Sequence, residues 1–281
     1  MGWRLEIVHK TRVVYEGTAR ASYNEARMTP VTLPTQTALE TQLWTGAGTT
    51  VSSSYSDYWG TLVSSFDIQA PHHELSVTAR SVVETGLAPA PSAPLSWARL
   101  REIAEGGRLL EYLSPTPRTT VDAELTAAAR ERAAGADPLR AAADIAAWVQ
   151  DTVEYVPGST EVQTSAQEAW NQGQGVCQDI AHLTVALLRE VGLPARYVSG
   201  YLHPSPEAGL GDTVTGESHA WVEYWTGEWV ATDPTNQSPV GECHVVVARG
   251  RDYADVPPLK GIYHGAPSST MDVTVEVTRR A

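Results

Sequence analysis

Apolar and polar positions follow two different rhythms, one on each side of a proline-rich stretch. Before it, apolar side chains alternate with polar ones in short runs. These are Trp3 to Val8, Arg12 to Glu16 after a polar break, Ala38 to Trp44, Thr49 to Ser54, Leu62 to Ile68 and Leu75 to Val83. A period of two in β-branched and aromatic residues, bounded by Gly, Pro, Asn and Ser, predicts antiparallel strands. The pieces Tyr55 to Gly60 (YSDYWG) and Ala70 to Glu74 (APHHE) read as turns or strand ends, so the adjacent His72 and His73 belong to a turn.

Gly86 to Pro94 (GLAPAPSAP) reads as an extended linker. It sets the expected organisation: a β domain over 1–86, a linker over 87–95 and a second domain over 96–281. Beyond it the rhythm becomes helical. Asp122 caps an Ala-rich helix to Ala134, and Asp137 with Pro138 opens a helix to Val153 with Leu139, Ala142, Ala143, Ala146 and Val149 on one face. Ser165 and Glu168 form a capping box for a short helix to Trp170. A helix from Cys177 to Val191 stops at Gly192 and Pro194, with Ile180, Leu183, Thr184, Leu187, Leu188 and Val191 as its buried face. Strands follow at Ala195 to Leu202, His219 to Trp225, Trp229 to Thr232, Cys243 to Ala248 and Met271 to Val277, with an irregular loop from His203 to Gly216. Helices followed by strands make the second domain α+β.

Cys177 is the chemically informative residue. It lies where the glycines at 173 and 175 permit tight backbone approach before a helix. A helix N-terminus favours a thiolate and offers free N–H groups, among them that of Cys177, as half of an oxyanion hole. His219 supplies a base on a strand, and Asp233 follows the next strand. A hairpin turn centred on Thr226 pairs Trp229 with Glu223, Ala231 with Trp221 and Asp233 with His219, so carboxylate and ring share a face, with Cβ atoms about 4.5–5.5 Å apart. A one-residue slip would separate them.

Each residue has a plainer reading: Cys177 as a small buried hydrophobe, His219 as a satisfied core histidine, Asp233 as a turn initiator. The three in compatible positions outweigh those readings together. His182 lies five residues past Cys177, roughly 140° around the helix, and is structural. Asp179 also points away and serves donors in the first turns. Cys243 falls mid-strand and is inert. No His-Glu-x-x-His, Cys-x-x-Cys, Gly-x-Ser-x-Gly or P-loop occurs, so neither a metal nor a nucleotide cofactor is expected.

A net charge of −13 argues against nucleic acid as a partner. The start of the chain lacks a signal peptide's basic and apolar regions, and no apolar run approaches the ~20 residues of a membrane helix. With two cysteines expected free, the cytoplasm is the expected compartment.

The stretches TSAQEAWNQGQGVCQDIAH (Thr164 to His182), LPARYVSGY (Leu193 to Tyr201), ESHAWVEYW (Glu217 to Trp225) and WVATDPTNQ (Trp229 to Gln237) resemble the bacterial transglutaminase-like superfamily. YEGTARASYNEARMTP (Tyr15 to Pro30) and SYSDYWG resemble the β-rich amino-terminal domain that accompanies this core, and GRDYADVPPLKGIYHG (Gly250 to Gly265) is also similar to these proteins. The resemblance implies a papain-like core of helices packed on an antiparallel sheet, with Cys177 as nucleophile, His219 as base and Asp233 as its orienting acid. For the second oxyanion donor it implies an aromatic residue upstream of the cysteine, best matched by Tyr155, with Gln172 as the alternative. The implied chemistry is acyl transfer through a thioester on a peptide, isopeptide or carboxamide bond, with hydrolysis favoured over transamidation to an amine. A non-catalytic module that recruits a protein through its β domain is the competing reading, which the intact triad disfavours.

Overall fold

The computed structural model describes residues 2–46, 51–107, 109–216, 218–236 and 239–281. Thr49 and Thr50 of one expected strand, and Glu217 and Gln237 at the ends of two family-like stretches, lie outside the described residues. The first alternating runs merge into one strand, β1 (Trp3–Ala19). The polar break at His9 to Thr11 does not interrupt it, because His9 and Thr11 face inward and are satisfied there. His9 Nδ1 lies 2.9 Å from the Tyr201 hydroxyl, which itself donates to Met28 O at 3.1 Å. The hydroxyl therefore accepts from Nδ1–H, and Thr11 Oγ1 donates to Nε2 at 3.2 Å. Burial pushes the His9 ring down to about 4, so it stays neutral at ordinary pH.

The remaining amino-terminal strands are β2 (Ala21–Ala26), β3 (Gln36–Thr45), β4 (Val51–Ser56), β5 (Leu62–Ile68) and β6 (His72–Thr85). His72 and His73 open β6 rather than forming a turn, and buried His72 lies 2.8 Å from Ala70 O and 3.2 Å from Ser22 Oγ. The extended linker then leads to α1 (Trp97–Glu105), capped by Ser96. Next come α2 (Ala123–Ala133), capped by Asp122, and α3 (Pro138–Thr152), capped by Asp137 with Pro138 in its first turn. Strand β7 (Glu154–Tyr155) precedes α4 (Ala166–Gln172), whose capping box is Ser165 with Glu168. Then follow β8 (Gln174–Gly175), α5 (Cys177–Glu190), β9 (Ala195–Leu202) and β10 (Thr213–Gly216). The chain ends with β11 (His219–Trp225), β12 (Trp229–Thr232), β13 (His244–Gly250), β14 (Leu259–His264) and β15 (Ser269–Arg279).

The strands β2, β7, β8, β10 and β14 and the helix α1 were not expected; β10 occupies the end of the 203–216 loop, which was expected to be irregular. Residues 259–279, assigned by the sequence to the second domain, hydrogen-bond into the amino-terminal sheets: β14 beside β2, and β15 between β10 and β1. The larger sheet has the order β10-β15-β1-β6-β3, and a second has β14-β2-β5-β4. The site-bearing sheet is β12-β11-β9-β13, with α5 packed across it.

Strand β1 serves two cores. Its first half puts Trp3, Leu5 and Ile7 into the large core with α5, α3 and the site-bearing sheet. Its second half puts Val13 and Tyr15 between the two amino-terminal sheets with Phe66, Ile68 and Leu75. A ring chain also joins the layers: Trp59, from the YSDYWG turn, lies 5.7 Å from Tyr112, which lies 5.1 Å edge-on from Trp229 of β12.

Gln36 makes the most specific contact between layers. Strand β13 is an edge strand, and the Gln36 carboxamide imitates a neighbouring peptide. Its Oε1 accepts Val246 N–H at 2.7 Å and its Nε2 donates to Val246 O at 2.8 Å. The edge is thereby closed to other strands. Gln36→Ala is predicted to leave buried backbone groups unpaired and to cost about 2 kcal/mol in chemical denaturation. A loss indistinguishable from zero would mean that water replaces the amide without penalty.

Candidate active site

Cys177 is the first residue of α5, half-buried, with the preceding backbone arranged by two glycines. Gly173 ends α4 in the left-handed region at φ 66, which a side chain would strain. Gly175 passes so close to Asp179 that an added Cβ would lie 2.8 Å from the Asp179 Cβ. As expected, Asp179 turns away from the thiol. Its Oδ2 accepts Val176 N–H at 2.8 Å and the Thr160 hydroxyl at 2.5 Å, closing the start of α5. Burial raises its carboxyl above the usual range against those hydrogen bonds. His182 is buried and structural: its Nε2 accepts Tyr253 N–H at 3.1 Å, and burial with the nearby Arg118 and Arg189 charges pushes it down to about 3.

His219 opens β11, and its ring interacts with the side chains of both Asp233 and Cys177. Nε2 lies 2.8 Å from Asp233 Oδ2 and 3.2 Å from Asn236 Nδ2. Burial alone would lower the ring's pKa. The hydrogen bonds to Asp233 and Cys177, with the negative charges of both, outweigh it and raise the ring to about 9. Opposite His219 on β9 is Gly200, where a Cβ would lie 2.6 Å from the Trp221 ring. The missing side chain lets Trp221 stack on His219, centroids 5.9 Å apart.

The hairpin register differs from expectation. Trp229 pairs with Trp225 and Ala231 with Glu223, so the turn is centred on Gly227 rather than Thr226. The shift is two residues, an even number, so the faces are preserved and only the partners change. Asp233 is then just beyond β12, and its carboxylate still reaches His219.

The Asp233 side chain has 0% exposure and is surrounded by N–H groups. Oδ1 accepts from Thr235 N at 3.0 Å and Asn236 N at 3.3 Å, while Oδ2 accepts from Asn236 Nδ2 at 3.0 Å and His244 Nε2 at 3.2 Å as well as from His219. Burial opposes ionisation here, but the hydrogen bonds to His219 and His244, the His219 charge and the Asn236 amide hold the carboxyl well below the usual carboxylate range. Sequence reasoning passed over His244 and Asn236. The TDPTN segment was a signal for Asn236, since an Asp followed by Pro builds a turn whose next residues face back to the carboxylate. His244 had none, because it enters from another strand.

The atoms His219 Nε2, Asp233 Oδ2 and His244 Nε2 lie within 4.8 Å of one another, a spacing a divalent ion could use. Each already takes part in a hydrogen bond. Of the two oxyanion candidates, Tyr155 is 51% exposed in β7, paired in parallel with Gly175 just before the thiol. Gln172 is exposed at the end of α4. Cys243 precedes β13 instead of lying within a strand, and burial with the Glu242 charge pushes its thiol up.

Residues 126–234 match the transglutaminase-like superfamily and residues 5–84 the bacterial transglutaminase-like N-terminal region. An uncharacterised protein of Mycobacterium leprae is 46% identical over 279 residues, 99% of this chain and 100% of that protein. A protein-glutamine gamma-glutamyltransferase of Pseudomonas aeruginosa is 41% identical over 69 residues, 22% of this chain and 10% of the enzyme. The fold matches the crystal structure of a proposed cysteine protease from Cytophaga hutchinsonii at a TM-score of 0.77 and 22% identity, covering 99% of this chain and 91% of that one. The architecture is thus papain-like and α+β, and its family is one of cysteine-based catalysis. The chain belongs to the transglutaminase-like superfamily.

Proposed function

We propose that this protein is a cysteine acyl-transfer enzyme, most simply a peptidase or amidase, with Cys177, His219 and Asp233 as its triad. The observation that carries the reading is a buried imidazole that interacts with a thiol on one side and a fully buried carboxylate on the other. The proton shared by the thiol–imidazole pair is held on His219 when Cys177 attacks the carbonyl of a peptide, isopeptide or carboxamide bond. His219 then gives that proton to the leaving amine, and water resolves the thioester. Asp233 keeps the ring oriented and stabilises its charged form. The Cys177 N–H in the first turn of α5 provides one oxyanion donor, and Tyr155, beside Gly175, is the preferred second, with Gln172 the weaker. The substrate is a peptide or protein, and the two free cysteines fit a reducing compartment such as the cytoplasm. The local likeness to a glutamyltransferase supports a second outcome, in which an amine resolves the thioester in place of water. Incubation with a peptide library with and without amines, read by mass spectrometry, separates hydrolysis from transamidation.

Cys177→Ala is predicted to abolish turnover of any substrate so found, and retained turnover would falsify the mechanism. Asp233→Asn should lower kcat by at least about a hundredfold with folding preserved. Iodoacetamide is expected to label Cys177 well ahead of Cys243; equal slow labelling would favour a binding module instead. Raised from its ordinary 6.5 to about 9, His219 contributes stability that is complete below about pH 6.5 and lost as pH rises through 9. The gap in denaturation free energy between the wild type and His219→Gln should narrow over that window. Turnover should also decline above pH 9, where the ring has no proton for the leaving group. A gap independent of pH would contradict the assignment.

A further inference from the structure

We infer that His244 is a positioning residue for the His219–Asp233 pair: an imidazole whose Nε2–H fixes the orientation in which Asp233 receives His219. The inference rests on the reading of His219 as the base. It starts from the turn before β13. His244 N–H donates to Gly241 O at 2.9 Å, and Gly241 N–H donates back to His244 Nδ1 at 3.3 Å. A nitrogen that accepts a backbone N–H carries no proton of its own, so the ring's proton is on Nε2. That N–H faces Asp233 Oδ2 at 3.2 Å. Both ring nitrogens are thereby committed, and the side chain is 2% exposed.

A second proton on His244 would have to enter between Nδ1 and the Gly241 N–H. The ring therefore presents Nε2–H, and not Nδ1–H, to its surroundings as the donor. Two features hold the ring in place. It stands edge-on to Trp221, centroids 5.3 Å apart, and Trp221 in turn stacks on His219. Strand β13 is anchored at Val246, two residues on, by the Gln36 amide. Three N–H donors thus converge on Oδ2 from β11, from the turn after β12 and from β13. Without the third, Oδ2 is held by His219 and Asn236 alone, and its direction is less closely fixed. The bond it loses alignment with is the one that orients the base.

Two substitutions separate this role from packing. In His244→Gln the amide nitrogen reaches the place of Nε2 and can still donate to Asp233; in His244→Asn it stops near the place of Nδ1 and cannot. His244→Asn is expected to lower kcat about tenfold with KM within about twofold, the loss of one directed hydrogen bond, and to slow Cys177 alkylation in parallel. His244→Gln should retain kcat within about threefold of wild type. Equal losses in both variants, or none in either, would overturn the proposal. The wild-type protein offers a test that does not depend on either variant folding. Nitrogen-15 spectra of its histidine rings, recorded at about pH 8 where an ordinary imidazole is neutral, should show His244 with its proton on Nε2. A ring that carries its proton on Nδ1 contradicts the inference. Failure of the triad reading looks different: Cys177→Ala would stay active while the His244 tautomer remained as described.

Discussion

A carboxylate with no access to water keeps its charge only where N–H groups replace that water. Asp233 is such a group, and the architecture around it is the means of meeting its requirement. Its donors come from β11, from the turn that follows β12 and from the start of β13, which is separated from the others in the sheet by β9. The sheet must therefore hold strands from distant parts of the chain in fixed relative position. Gly200, Trp221 and the Gln36 amide each contribute to that, the first by omission of a side chain and the others by filling and pairing. Helix α5, packed across this sheet, carries the thiol at its first residue. Its placement depends on the glycines before it and on Asp179, whose oxygen ties Val176 to the first turn.

What could be read from the sequence was what short-range chemistry determines. The capped starts of α2, α3 and α4, the Gly192 stop of α5 and the parity of the β11–β12 hairpin are set by residues within a few positions of each other. Partners brought from far away left weaker traces. His9 and Thr11 looked like a break because Tyr201, the hydrogen-bond partner of His9, is remote in sequence, and Thr11 bonds to His9 in turn. His244 could be recognised only once β13 had been placed beside β9. Arg189 was likewise silent. It ends α5 with its guanidinium buried, donating to the carbonyls of Tyr112, Ser114, Ala195 and Arg251, and burial pushes it down to about 10.

The amino-terminal β region is not an appendage to the core. Val31 and Leu33 cover Trp221 on the side of the sheet away from α5, and Gln36 occupies the open edge of β13. Trp59 touches the chain of rings that leads to β12. The region thus forms part of the back wall behind His219, which gives it a structural role whether or not it also meets a partner.

The pairing of β1 with β15 has a consequence for how the molecule is made. Glu6 of β1 accepts a hydrogen bond from Arg280, just past β15, 274 positions away, and the two strands run side by side along most of their length. During synthesis β1 emerges long before β15, so its edge of the central sheet stays open until β15 follows. Closing so long a loop is slow relative to local structure, and an open hydrophobic edge invites wrong pairing. Because β1 also lines the core beneath α5, a nascent chain would hold Cys177 in an unfinished setting. The core beneath α5 is complete only once β15 has joined β1.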